Sequence, residues 1–90
     1  NQEAQQIYDR LATSYPNSRM VDDALFQNGS LEIEKGNYQN AVNILTKMIR
    51  ERPKSTLIPN ALMKRATAFN NLKNYDAAVN DYKIIITRYG

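Results

Sequence analysis

The chain repeats itself at a step of 37 residues. Ala4, Ala41 and Ala78 stand at that spacing, and the same step carries Pro16 to Pro53, Ser18 to Ser55, Ala24 to Ala61, Leu25 to Leu62 and Tyr38 to Tyr75. Gly29 maps onto Ala66, another small residue. Two apolar series run through Tyr8, Leu45 and Tyr82 and through Leu11, Met48 and Ile85, while Tyr15 and Tyr89 share a phase with Arg52 between them. Such a chain must fold one supersecondary unit repeatedly, and units of this length bury their apolar faces against neighbours rather than alone. The sequence divides into a partial unit, 1–16, and two full units, 17–53 and 54–90. It starts and stops in mid-unit, so a piece of a longer array is expected, with targeting signals, anchors or other domains outside it.

Inside each unit the apolar period is helical. Ala4, Ile7, Tyr8, Leu11, Ala12 and Tyr15 follow the i, i+3, i+4, i+7 pattern over residues 2–15. Pro16-Asn17-Ser18 ends that helix. Ser18 is a candidate N-cap for a second helix reaching about Lys35, with Asp22 and Asp23 near its positive end. Gly36 suits the left-handed residue that closes it, and Asn37 suits the cap of a third helix, Tyr38 to Arg52. Ala41, Ile44, Leu45, Met48 and Ile49 form that helix's apolar stripe, and Pro53 ends it. Ser55 or Thr56 is expected to cap a fourth helix with Pro59 in its first turn, burying Ile58, Leu62, Ala66 and Phe69. A fifth, Tyr75 to Tyr89, repeats the third. Lys73 occupies the place of Gly36; a left-handed side chain costs about 1 kcal/mol more than glycine, so this turn is expected to be built differently.

Composition removes several kinds of chemistry. Neither Cys nor His occurs, so disulfides, thiol nucleophiles, zinc–thiolate sites and the commonest general base are missing. A formal charge of +3 is far from a concentrated nucleic-acid-binding patch. No apolar run reaches the roughly 18–20 residues of a membrane span. Glu32 and Glu34 are two apart on a helix and point to different faces, Asp22 and Asp23 read as first-turn residues, and no phosphate loop or nucleophile elbow is present. The chain is therefore expected to be no enzyme and to need no cofactor or metal. Its six tyrosines could stack bases, but they fall at repeat-equivalent positions and read as packing residues, so nucleic acid is not an expected partner. Lys47, Arg50, Arg52 and Lys54 form the densest basic cluster. Stabilisation of a helix's negative end accounts for it; the functional reading is a weak contact with acidic lipid or protein.

Taken together, Gly29/Ala66 in one helix, Ala41/Ala78 in the next, Leu45/Tyr82, Met48/Ile85 and the closing Pro53 resemble the tetratricopeptide repeat family across the whole chain. The junctions Tyr15-Pro16-Asn17-Ser18 and Arg52-Pro53-Lys54-Ser55 resemble a 37-residue variety frequent in Gram-negative envelope proteins, of the barrel-assembly lipoprotein and Tol–Pal coordinator type. The resemblance implies an all-α fold, five helices in antiparallel hairpins forming a right-handed α-solenoid, and a periplasmic or cell-envelope location, with cytoplasm the alternative. Glu32, Asn28 and Arg65 depart from the family's apolar pattern, so the first full unit is expected to pack through Leu31 and Ile33. Close approach of two helix backbones explains the small residues, and Gly29→Leu should overpack that contact by about 1–3 kcal/mol.

The family's first helices line a concave groove for a peptide or a partner's helix. Carried over, the groove comprises Asp23, Phe26, Gln27, Ser30, Ile33 and Glu34, then Asn60, Met63, Lys64, Thr67, Asn70 and Asn71. Amides and hydroxyls around the anchors Phe26 and Met63 suit main-chain hydrogen bonding; the plain alternative is two solvated helix faces. A carboxylate clamp is not expected, because Phe26 and Ser30 stand where the first unit should supply its residues and only Lys64 could help. The implied function is a protein–protein interaction scaffold or adaptor. The alternative is a structural spacer or oligomerisation segment with no groove ligand. Ile84, Ile85 and Ile86 make the last helix apolar over more than one stripe, so self-association through terminal helices, or cover by sequence outside these residues, is expected.

Overall fold

The computed structural model describes Gln6 and residues 19–89. Gln6 is helical; the rest of the first expected helix, with Tyr8, Tyr15 and the cap Ser18, lies outside the described residues. Four α-helices follow, α1 (Arg19–Glu34), α2 (Tyr38–Glu51), α3 (Ile58–Asn71) and α4 (Tyr75–Ile84), and then a π-helical turn, Ile85–Tyr89. Among the described residues there is no strand. Each helix packs on the next, and α1 also touches α3. The fold is all-helical.

Two tight turns show the repeat at the level of single hydrogen bonds. After α1 the Gly36 N–H donates to the Ile33 carbonyl at 3.0 Å and the Asn37 N–H to that of Glu32 at 2.8 Å. After α3, Lys73 donates to Asn70 at 3.0 Å and Asn74 to Phe69 at 2.9 Å, each atom one repeat further along. Gly36 has φ +81° and Lys73 φ +64°. The second turn is thus built like the first, contrary to expectation. Its paired hydrogen bonds and the packing of α3 on α4 outweigh the cost of about 1 kcal/mol for a left-handed side chain.

Other ends differ from the sequence reading. Asn37 stands at the N-cap position of α2 but makes no side-chain cap; its Nδ2 instead donates to a Glu32 carboxylate oxygen at 2.8 Å. Leu57, not Ser55 or Thr56, is the N-cap residue of α3, with Pro59 in its first turn. Ser55 Oγ accepts the Leu57 N–H at 3.1 Å, so it braces the turn before the helix. The last expected helix becomes a π-turn from Ile85 onward. Four consecutive β-branched residues, Ile84-Ile85-Ile86-Thr87, crowd an α-helix. Thr87 Oγ1 also donates to the carbonyls of Lys83 and Ile84 at 2.8 and 3.3 Å, a competition that bends helices.

The core is two joined clusters. Val21, Leu25, Leu45, Met48 and Ala61 form one, with Phe26, Ile33 and Ile49 among the residues packed around it. Ala41, Val42 and Ala68 form the other, with Ile33, Tyr38 and Phe69 around it. Ile58, Leu62 and Ala66 are buried as expected. Of the two residues expected to take over the packing of the first unit, Ile33 packs against both clusters and Leu31, half-buried, stands with neither; Asn28 and Glu32 are themselves buried, at 2% and 3% exposure. The small residue at Gly29 has a different cause from the one expected. A Cβ there would meet Leu45 Cδ2 at 2.7 Å and Cγ at 2.8 Å, so a side chain, not a second backbone, fills the space.

Candidate functional site

All twelve candidate groove residues lie on α1 or α3, the two helices that touch across the hairpins. Asp23, Gln27, Glu34, Asn60, Met63, Lys64, Asn70 and Asn71 are exposed; Phe26, Ser30, Ile33 and Thr67 are half-buried. These groups are not equally available. Phe26 and Ile33 pack against the core, so they brace α1 as much as they face outward. Thr67 Oγ1 donates to the Met63 carbonyl at 3.1 Å and Asn71 Nδ2 to the Thr67 carbonyl at 2.9 Å, so both are engaged along α3. Ser30 Oγ is buried with no hydrogen-bond partner among the described residues. Met63, 48% exposed, is the apolar projection of α3, flanked by Asn60 and Lys64. The face offers amides, one cation and two carboxylates around a flexible apolar side chain. Such a set of groups can hydrogen-bond a chain of mixed polarity.

Three polar links hold the helices that carry this face. The Arg52 guanidinium pairs with Asp22, tying the end of α2 to the first turn of α1, a link that the helix-end reading of the two residues does not contain. Glu32 accepts from Asn37. Arg65 Nε and Nη2 donate to Asp81 Oδ2 and Oδ1 at 2.9 and 2.6 Å, and its Nη1 donates to Thr46 Oγ1 at 3.2 Å. Its guanidinium lies 5.7 Å from the Phe69 ring centroid. This fork connects α2, α3 and α4. Arg65 departs from the apolar pattern because it has a partner, and Asp81, 1% exposed, is that partner. A buried-phase acid on α4 opposite a buried-phase base on α3 was the available signal.

Three of the four described tyrosines depart from the packing expectation. Tyr38 is half-buried, whereas Tyr75, Tyr82 and Tyr89 are 57%, 37% and 42% exposed. With Val79 and Ile86 they give α4 and the turn after it a solvent-facing apolar surface. The basic residues Lys47 and Arg50 line a shallow depression on α2 with Asn43, Thr46 and Glu51. Among the described residues no group of three or more potential ligand side chains could hold a metal ion, and no helix is long and apolar enough to cross a membrane.

Helix hairpins stacked at a fixed step, sharing one core and exposing broad helix faces, define a helical-repeat protein. The Tetratricopeptide repeat family model matches residues 1–18, 23–55 and 60–90, and the chain belongs to that family. Repeats of this family generally mediate protein–protein interaction and are typically non-enzymatic. No curated protein and no solved structure matches the chain.

Proposed function

We propose that the chain is a scaffold or adaptor module that binds a peptide or a partner's helix along the face formed by α1 and α3. The observation that carries this reading is Met63, an apolar side chain half in solvent and flanked by Asn60 and Lys64. Large apolar groups ringed by hydrogen-bonding side chains are what peptide grooves use as anchors. In this reading the hairpins continue as a right-handed solenoid whose concave side is the α1–α3 face. The Tyr15-Pro16-Asn17-Ser18 junction supports a place in the bacterial envelope.

The test is capture of partners with the protein as bait, beside a Met63→Glu/Lys64→Glu variant. Both residues are exposed, so the variant keeps its fold, which a Phe26 substitution would endanger. A partner retained by wild type and lost by the variant supports the groove. Identical captures would remove function from this face and favour the spacer or oligomerisation reading, which the exposed surface of α4 supports.

A further inference from the structure

Gly29 is held to glycine by packing, since a Cβ there would come within 2.7 Å of Leu45 Cδ2. The residue before it is Asn28, and no other asparagine in the chain is followed by glycine. Asn-Gly is the dipeptide that deamidates most readily, for two steric reasons. No side chain shields the glycine nitrogen from the asparagine Cγ, and glycine's backbone freedom lets the chain reach the geometry of ring closure. The second unit has Arg65-Ala66 at the same places and carries no such liability.

The reaction needs no enzyme. The Gly29 nitrogen attacks Asn28 Cγ, the Cγ–Nδ2 bond breaks, and ammonia leaves with the proton that the Gly29 nitrogen gives up. Water then opens the five-membered imide. Addition at Cγ yields aspartate; addition at the backbone carbonyl yields isoaspartate, in which the chain runs through the side-chain carbon. Nothing is oxidised or reduced, and water is the only co-reactant.

The fold stops this at its first step. Asn28 and Gly29 lie inside α1, more than one turn from either end. A helical N–H is committed to the carbonyl four residues back, and a helical ψ holds the nitrogen away from the Cγ before it. Asn28 is 2% exposed, and α1 is packed on both α2 and α3, with Leu25 and Leu45 in one buried cluster. Attack therefore waits until α1 lifts off and unwinds. The products fit poorly afterwards. Aspartate puts a carboxylate where a neutral amide was buried, and isoaspartate adds a backbone carbon in mid-helix, which breaks the hydrogen-bond register of α1.

We propose that Asn28 is a modification site gated by unfolding. In the folded chain it is inert; each opening of α1 exposes it to deamidation, and a converted chain does not rebuild α1 on α2. The close fit of Gly29 and Leu45 thus gives the first unit a one-way exit from the folded state that the second unit lacks. Neither Asn28 nor Gly29 is a groove candidate, so this site is independent of partner binding.

Peptide mapping by mass spectrometry tests it, on the protein held at mildly alkaline pH with and without denaturing urea. An isoaspartyl methyltransferase with labelled methyl donor counts the isoaspartate. Conversion at Asn28 should be at least about a hundredfold slower in the folded protein than in urea. Leu45→Ala, which loosens the core between α1 and α2, should speed the native reaction by about thirtyfold or more and leave the rate in urea unchanged. On removal of urea, wild-type chains should lose recoverable helical signal in step with conversion at Asn28, while Asn28→Ser chains keep theirs. Separating converted from unconverted wild-type chains makes the same comparison without a substitution. Conversion in the folded protein within about tenfold of the urea rate overturns the proposal. So does a native rate that Leu45→Ala leaves unchanged, or converted chains that refold with the wild-type urea midpoint.

Discussion

In the first full unit the apolar seam of α2 disappears under α3, while in the second the same seam on α4 meets solvent. Up to Ile84 the two units otherwise share a backbone, down to the hydrogen bonds of their turns; beyond it α4 gives way to the π-turn where α2 runs on to Glu51. Their interiors are wired differently. The Glu32 side chain in the first unit accepts from Asn37; its counterpart Phe69 has no side-chain acceptor, and its ring instead lies beside the Arg65 guanidinium. Arg65 and Asp81 are paired in the second unit, where the first has Asn28 and Ile44. Gly29 makes room for Leu45; in the second unit Ala66 stands in the same place, and Tyr82, the counterpart of Leu45, is partly in solvent. Identical geometry therefore rests on separate polar and packing solutions. The repeat fixes where helices lie, and each interior then settles its own buried groups.

The largest test of that distinction is the Arg65–Asp81 pair. Asp81→Ile gives the second unit the residue of the first but leaves the Arg65 side chain, 15% exposed, without its carboxylate. Removing one member of such a pair strands the other charge, and the loss should be about 2–4 kcal/mol in urea denaturation. Arg65→Asn/Asp81→Ile transplants both residues of the first unit and should be less destabilised than Asp81→Ile alone. A double variant as weak as the single one would mean that the pair is not the source of the loss.

Next in size is the contact at Gly29. Gly29→Ala places a Cβ within 2.7 Å of Leu45 Cδ2, and Leu45 is fully buried. Overpacking of this kind should cost about 1–3 kcal/mol despite the gain in helix propensity. The mirror change, Ala66→Gly, makes no clash and should cost about 1–2 kcal/mol, through propensity and the loss of a buried methyl. If Gly29→Ala proved stabilising, Leu45 would have to possess another well to move into.

Much of this comparison was legible in the residues. Helical period and turn positions follow from local sterics repeated at one step, and such signals survive in a linear sequence; that Gly29 is small was legible too, but not its cause, the Leu45 side chain of the next helix. The polar interior was not legible to the same degree. Arg65 and Glu32 looked like faults in the pattern because their partners, Asp81 and Asn37, become neighbours only once helices pack or a turn closes. The tyrosines misled for the converse reason. Register says which face a residue occupies; it does not say whether anything covers that face, so Tyr38 and Tyr75 share a phase and differ in burial. The groove residues share this weakness, since an exposed amide on a helix looks the same with or without a ligand.

The smallest expected effect concerns the two turns, and it isolates backbone cost from side-chain packing. Lys73 holds φ +64°, a conformation that glycine adopts freely and an L side chain does not. Lys73 is also exposed, so its replacement removes no buried contact. Lys73→Gly should therefore stabilise the protein by about 0.5–1 kcal/mol, the relief of left-handed strain exceeding glycine's greater entropy loss. Gly36→Lys should cost about the same amount, because a Cβ there meets nothing within 4 Å and only the conformational penalty remains. The two turns close different hairpins, so the exchange Gly36→Lys/Lys73→Gly should leave the urea midpoint close to wild type by additivity. A clear net loss in the exchange would show that the turns are not interchangeable. The glycine of the first unit would then be doing more than supplying a positive φ.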